Sequence, residues 1–198
     1  MPAWFLTILN RLDEQSRQYL DFLVESSYSL RNYVDGILSF YRSDHVLEKD
    51  YEDVHLPTLL KRITDLYKLE EDVEITYPDK GHLKNINKAA LSQVFMNLIS
   101  NALKYNTTEV RKVDINFKTT STYYCFEVSD NGIGISATDK EKIFQLFATL
   151  DAKDRYGNPG SGIGLATVKK HIEQMNGSIE VISEKGKGST FKFKIKRP

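Results

Sequence analysis

Tyr124-Cys125-Phe126-Glu127-Val128-Ser129-Asp130 alternates large apolar residues with smaller or polar ones. A stretch of period two has one greasy face and one wetter face, the mark of a half-buried strand. Val113, Ile115 and Phe117 alternate likewise with Asp114, Asn116 and Lys118, and Phe191, Phe193 and Ile195 with Lys192, Lys194 and Lys196. Strands covered on both faces, as in a doubly wound sheet, read as continuous apolar runs. These do not. The expected fold is therefore an α/β (α+β) two-layer sandwich: a mixed sheet with helices near 57–69, 88–105 and 162–176 on one face and an open second face.

Upstream the period changes. From about Asp13 to Ser43, the residues Leu20, Leu23, Ser27, Leu30, Val34, Ile37 and Tyr41 recur at alternating spacings of three and four. That is a heptad seam, widened by Tyr19, Phe22, Val24, Tyr33 and Leu38. So long and apolar a helix needs a partner, and the seam favours a bundle over packing on its own domain. Residues 44–56 (DHVLEKDYEDVHL) are charged and aperiodic and read as a linker. Pro57 suits the first turn of the next helix. The division is a bundle-forming helix over 1–43, a linker over 44–56 and a compact domain over 57–198.

The chain has 198 residues, with Lys+Arg and Asp+Glu balanced at 27 each. Zero net charge gives no reason to expect nucleic acid or an anionic membrane surface as partner. The single cysteine, Cys125, excludes an intrachain disulfide and fits a reducing compartment. No apolar run approaches the roughly 20 residues of a membrane span. Met1 to Leu9 lacks a basic start and a small-residue cleavage site, so no signal peptide is expected. The expected location is cytoplasmic, with membrane contact only through segments outside this chain.

Three segments carry chemistry. Asp130 shares parity with Tyr124, Phe126 and Val128, so its carboxylate points to the core side at a strand end. A bare charge there is expensive but tolerable if it accepts hydrogen bonds, and the exocyclic amine of adenine is such a donor. Gly132 and Gly134 let the chain bend closely around a base; a plain strand-end turn would read the same in isolation. In the helix near 88–105, Leu91, Val94, Leu98 and Ala102 face the core, while Gln93, Asn97, Asn101 and Lys104 form a second stripe. Asparagine disfavours helices. Two of them one turn apart suit Mg²⁺, a hard cation that takes oxygen ligands and keeps waters and substrate phosphates. A polar helix face is the plainer reading of that stripe alone. Finally, Gly160-Ser161-Gly162-Ile163-Gly164-Leu165 precedes a helix, where bare amides and the helix dipole favour phosphate. It lacks the strand and third glycine of a dinucleotide fingerprint and the lysine of a P-loop. Ala148 to Pro159 is polar and rich in breakers, a candidate mobile lid. Together the three point to ATP.

These motifs resemble the catalytic, ATP-binding half of sensor histidine kinases, in the superfamily shared with DNA gyrase, MutL and a heat-shock chaperone. Asn97–Tyr105 is similar to its N box, Asp130–Ile135 to the G1 box, Ile143–Phe147 to the F box and Gly160–Leu165 to the G2 box. Gly186–Phe191 is similar to the turn before the last strand, and residues 13–43 to the second helix of the dimerisation and phosphoacceptor hairpin. The resemblance implies a Bergerat-type fold and an ATP site of Asn97, Asn101, Lys104, Tyr105, Asp130, Gly132, Gly134, Ile135, Phe144, Gly160, Ser161, Gly162, Ile163, Gly164, Leu165 and Thr190. In it Asn101 ligates Mg²⁺, Lys104 reaches the phosphates, Tyr105 packs near the base and Thr190 helps hold adenine. It also implies a protein histidine kinase that passes phosphate to an aspartate of a response-regulator receiver domain, and a homodimer through the hairpin.

The chain departs from the pattern in places. The family's phosphorylated histidine lies in the first hairpin helix. Of the four histidines here, His45 and His55 read as linker residues, His82 as preceding a strand and His171 as lying on the helix after the glycines. All four read as surface histidines, so the chain is expected to begin after the acceptor helix and not to label itself. Ala148 and Thr149 stand where a basic residue often follows the F box, leaving Lys153 or Arg155 to replace it, and Asn87 stands where an acidic residue often starts the N-box helix. Three rivals remain. An ATP-operated clamp would need a water-activating glutamate near Gln93. A serine kinase of the anti-sigma type lacks the seam helix, and a nucleotide-binding scaffold lacks catalysis.

Overall fold

The computed structural model describes residues 13–46, 51–67, 71–150, 152–158 and 160–198. The reading of Met1–Leu9, the linker positions 47–50, the expected helix end at 68–70 and the lid positions Asp151 and Pro159 lie outside the described residues.

Five strands form one sheet in the order β2-β4-β5-β7-β6, where β2 is Val73–Thr76, β4 Arg111–Thr119, β5 Tyr123–Asp130, β6 Ser178–Glu184 and β7 Gly188–Lys196. The β2–β4 pair is parallel and the rest are antiparallel. Register follows the alternation: Phe117 stands opposite Phe126 and Phe126 opposite Phe193, so the apolar residues share one face. Three helices cover that face, α2 (Leu56–Thr64), α3 (Lys88–Lys104) and α4 (Gly164–Gln174), and the architecture is the two-layer sandwich expected. The opposite face exposes Asp114, Asn116, Lys118 and Lys194.

Each helix has a local cause. In α2, Pro57 occupies the first turn and Leu56, Leu59, Leu60 and Ile63 fall on one buried stripe. In α3, Asn87 is the N-cap, its amide oxygen accepting from Ala90 N at 2.9 Å. A neutral cap here satisfies the first-turn donor without the acidic residue common at this place in the resembled family. The core centres on Phe95 of α3, edge-on to Phe126 at 5.6 Å and to Phe193 at 5.7 Å, with Phe126 and Phe193 stacked at 4.7 Å. Phe95 is fully buried. Truncating it to alanine is expected to cost about 3–5 kcal/mol, read as a shifted urea midpoint.

The expected linker is corrected at both ends. The long helix, α1, runs from Glu14 to Val46, so His45 is helical. Tyr51–His55 form a strand, β1, paired antiparallel with β3 (His82–Asn87) in a second, two-stranded sheet. Likewise His82 opens a strand rather than preceding one. The linker reading failed because β1 buries only Val54 among exposed Tyr51, Glu52, Asp53 and His55. That pattern has too few apolar positions to show a period, and its pairing depends on a distant partner strand, with Tyr51 opposite Asn87 and His55 opposite His82. Asp53 Oδ1 accepts from Asn85 N at 3.0 Å, and Tyr124 Oη accepts from Lys84 N at 3.0 Å, which ties the small sheet to the large one.

The helix α1 contacts α3 and α4. Tyr19, Leu20, Phe22, Leu23, Val24, Leu30, Val34 and Leu38 remain exposed along it. Among the described residues no helix is long and apolar enough to cross a membrane.

Candidate nucleotide site

The C-terminal half of α3, the turn after β5, the start of α4 and the tip of the β6–β7 hairpin surround one cleft of about 870 Å³. This is the size of a small-molecule site. Asn97, Asn101, Lys104, Tyr105, Asp130, Gly134, Ile135, Gly160, Ser161, Gly162, Gly164 and Leu165 all line it. The residues assigned to cation, base and phosphate from the sequence are thus brought to one cavity from three separate regions of the chain.

Asp130 stands at one end of the cleft. Its Oδ1 accepts from Gly132 N at 2.8 Å and from Ser189 N at 3.3 Å. Burial pushes its carboxyl up to about 6, against the pull of those two amides. Among the described residues no donor reaches its Oδ2. The turn behind it is pinned by Asn131, whose Oδ1 accepts from Asn106 Nδ2 at 2.7 Å and from Lys112 N at 2.8 Å. Ile133 N donates to Tyr105 O at 3.1 Å and Gly186 N to Ile133 O at 2.7 Å, so this turn is clamped between α3 and the hairpin tip.

At the other end, α4 begins with Ile163 as N-cap and, among the described residues, no side chain capping its amides. Those N–H groups are left for a ligand or water. Gly162 has φ +67, and an added Cβ would lie 2.6 Å from the Phe147 carbonyl carbon, so a side chain does not fit where the two loops cross. Phe147 N donates to Gly162 O at 2.9 Å in the same crossing. Asn97 lies close to Gly164, its Oδ1 3.8 Å from the Cβ position there. Gln93, which donates to Asn97 Oδ1 at 3.5 Å, does not line the cleft.

A divalent cation fits this donor set. Among the described residues no three His, Cys, Asp or Glu side chains gather to bind a metal. Asn97 and Asn101 bring neutral amide oxygens to the cleft, the kind of donor a hard cation accepts beside phosphates and water.

Four expected site residues lie elsewhere. Gly132 acts through its amide on Asp130. Ile163 is buried at the head of α4. Phe144 packs edge-on against Phe191, 6.4 Å away, and supports the cleft from beneath. Thr190 is on the open face of the sheet, its hydroxyl 3.0 Å from that of Ser129. Its neighbour Ser189 lines the cleft instead. Parity alone carries this correction: Ser189 alternates in phase with Phe191 and Phe193, Thr190 with Lys192.

Sequence reasoning also missed Asp154, Asn106 and the lid anchor. Asp154 lines the cleft and accepts from Tyr156 N at 2.9 Å and Asn158 N at 2.8 Å, shaping the lid as an Asx turn. Burial, with the Asp154 carboxylate nearby, raises the Tyr105 phenol above its ordinary value. Asp72 receives buried Arg111 at 2.6 Å and the lid residue Arg155 at 3.1 Å. These hydrogen bonds, Arg111 first, hold the Asp72 carboxyl down to about 2. Arg155 is therefore engaged outside the cleft, and of the two lid cations weighed after the F box, Lys153 is the one without that tether. The His171 ring is buried on α4, and burial lowers its pKa.

The geometry agrees with what the chain resembles. A model of the family described as histidine kinase-, DNA gyrase B- and HSP90-like ATPase matches residues 86–198. The phytochrome-like protein Cph1 of Synechocystis sp. is 34% identical over 193 residues, covering 93% of this chain and 24% of that protein. This chain spans about a quarter of the length of the curated relatives it matches. The full-length structure of ShkA in complex with AMPPNP superposes with a TM-score of 0.70 at 27% identity, covering 94% of this chain and 40% of that one. The histidine kinase ThkA, solved with the response regulator protein TrrA, shares the fold at 21% identity and a TM-score of 0.68, covering 99% and 56%. The chain belongs to the histidine kinase-, DNA gyrase B- and HSP90-like ATPase family, as a catalytic ATP-binding domain of the sensor histidine kinase kind.

Proposed function

We propose that this chain binds ATP with Mg²⁺ and transfers the γ-phosphoryl group to a histidine on the first helix of a hairpin whose second helix is α1, for relay to a receiver-domain aspartate. The observation that carries the proposal is the convergence of Asp130, the Asn97–Asn101–Lys104 stripe and the uncapped start of α4 on one cleft. Asp130 accepts from the adenine amine through its free Oδ2. Tyr105 and Ile135 flank the base, and the amides of Gly162 and Gly164 hold phosphate oxygens. Asn101, with Asn97 beside it, ligates the cation, which neutralises charge on the transferring group. Lys104 adds a positive charge at the same end. Phosphoryl transfer asks mainly for such positioning and charge neutralisation, so no side chain of the cleft needs to act as nucleophile.

The acceptor comes from outside. His55 is bonded to Thr58 at 2.7 Å, His82 lies 3.4 Å from Asp53, His171 is buried, and His45 is in α1. Among the described residues, His55, His82 and His171 do not line the cleft. In this reading α1 is the second helix of the hairpin, extending to Val46, and the catalytic domain begins at Tyr51 rather than after residue 56. The hairpin makes the homodimer, and a receiver domain is the onward partner, as the ThkA complex with TrrA illustrates for that kinase. The clamp reading loses support because Gln93 stands off the cleft and carries no carboxylate. The anti-sigma reading has no place for α1.

The test is to mix this chain with a separately prepared hairpin carrying the acceptor histidine and with labelled ATP. Acid-labile phosphate is expected on the hairpin alone. Label on this chain itself would overturn the acceptor assignment, and no label anywhere would favour the scaffold.

A further inference from the structure

At the base end of the cleft, Ser183 of β6 stands directly opposite Ser189 of β7. The Ser183 hydroxyl oxygen lies 2.8 Å from Gly188 O, 2.7 Å from Ile135 N and 2.9 Å from Ser189 Oγ. A serine hydroxyl has one hydrogen to give and two lone pairs to receive with. The Gly188 carbonyl can only accept, so it takes the Ser183 hydrogen. The Ile135 N–H can only donate, so it occupies one Ser183 lone pair. The contact to Ser189 is then satisfied in one direction only, with Ser189 donating to the second lone pair. The single hydrogen of Ser189 is thereby held inside the protein, and toward the cleft, which it lines, its oxygen offers lone pairs alone. Asp130 beside it is an acceptor too, its Oδ1 already receiving the Ser189 and Gly132 amides.

We propose that Ser183 is a positioning residue for base selection: by receiving the Ser189 hydrogen it leaves Ser189 and Asp130 as a pair of acceptors that suits a 6-amino purine and rejects a 6-oxo purine. The inference rests on the ATP reading above and deepens it. An adenine amine has two hydrogens, one for each acceptor. If one water stands between Ser189 and the base, that water donates one hydrogen to Ser189 and keeps the other for adenine N1, an acceptor. A 6-oxo purine presents an oxygen where the amine was, so two acceptors face a third and the direct arrangement fails; a bridging water can turn to accept from the N1–H, so the discrimination rests on the direct contact. A site built to pair with one polar group leaves its own groups unpaired against the wrong one, which is why such discrimination is steep.

The experiment compares ATP with ITP, which differs only at positions 6 and 1 of the base, by calorimetry in Mg²⁺ on the full chain. The unsubstituted protein is expected to prefer ATP by about 100-fold or more. In Ser183→Ala the Ser189 hydroxyl is free to turn and donate toward a 6-oxo group, so the preference should narrow about tenfold, the value of one hydrogen bond. Ser183→Thr keeps the hydroxyl and should restore it. Ser189→Ala leaves both other Ser183 bonds in place, so the hairpin is undisturbed, and it should narrow the preference as well. A role for Ser183 in holding the hairpin alone would weaken both nucleotides equally and leave their ratio unchanged, which overturns the inference. An unchanged ratio in Ser189→Ala overturns it even if Ser183→Ala fails to fold. If the unsubstituted chain binds neither nucleotide, the ATP reading falls and takes this one with it. If ATP binds and the ratio survives both alanine variants, only this one falls.

Discussion

Replacing Asp130 with asparagine is expected to weaken ATP binding about 10- to 100-fold, the value of a charged hydrogen bond of roughly 1.5–3 kcal/mol. The same change should stabilise the nucleotide-free protein at neutral pH. The Asp130 carboxyl sits at about 6, above its ordinary 3.8, because burial disfavours the charge. A carboxyl raised in the folded state lends stability that is complete below pH ~4 and is lost as pH rises through about 6. At pH 7.5 the folded protein therefore holds an ionised group against its solvation preference. Asparagine has nearly the same shape, keeps an oxygen for the Gly132 and Ser189 amides, and carries no charge. At about 1.4 kcal/mol per pKa unit, the gain at pH 7.5 is on the order of 1–3 kcal/mol, several degrees in melting temperature for a domain of this size. At pH 4 the gain should vanish. Unchanged calorimetric affinity would mean the adenine amine finds its acceptor elsewhere. A lower melting temperature at pH 7.5 would mean the carboxylate is not held at a cost.

Gly134→Ala should be the more destructive change to the fold at the site, and Gly186→Ala its control. Both glycines have positive φ, +68 and +84. A Cβ at Gly134 would lie 2.0 Å from Glu184 O, an impossible contact with backbone, whereas at Gly186 nothing lies within 4 Å. Left-handed backbone costs a non-glycine residue about 1–2 kcal/mol, and that alone should be the effect at Gly186. At Gly134 the clash adds overpacking of about 1–3 kcal/mol. The loop must retreat from the hairpin, giving up the bonds from Ile135 N to Ser183 Oγ and from Gly186 N to Ile133 O. ATP affinity should fall about tenfold or more as the retreating loop displaces the charged contact of Asp130 to the base. Urea titration of the two variants side by side decides it. Equal destabilisation would show that the loop moves freely against the hairpin.

Much of the cleft was legible before any coordinates. Asn97, Asn101 and Lys104 sit one turn apart on a helix whose other face is apolar, so their common direction is a property of helical spacing. Asp130 inherits its direction from the strand it ends. The glycines before α4 advertise exposed amides because nothing else about that segment is regular. By contrast β1 and β2 were invisible. The first buries only Val54, and the second spans four residues alternating between half-buried and exposed. Such short edges are strands only because a neighbour pairs with them. The Asp72–Arg111–Arg155 cluster joins residues 39 and 83 positions apart, and no local pattern records that. The misplacement of Thr190 is different in kind. The alternation of β7 assigns it to the open face, against the role that the family resemblance implies.

The residue pattern by itself determined a one-sided sheet, a polar stripe on α3 and an amide-rich approach to α4, because period two, period 3.6 and glycine content act within a few residues of chain. Only the tertiary structure decided that Arg155 is tied to Asp72, and that Ser183 of β6 meets both the Ile135 amide and the Ser189 hydroxyl. Those outcomes depend on counting donors and acceptors among groups that come together only when distant strands and loops close on one another.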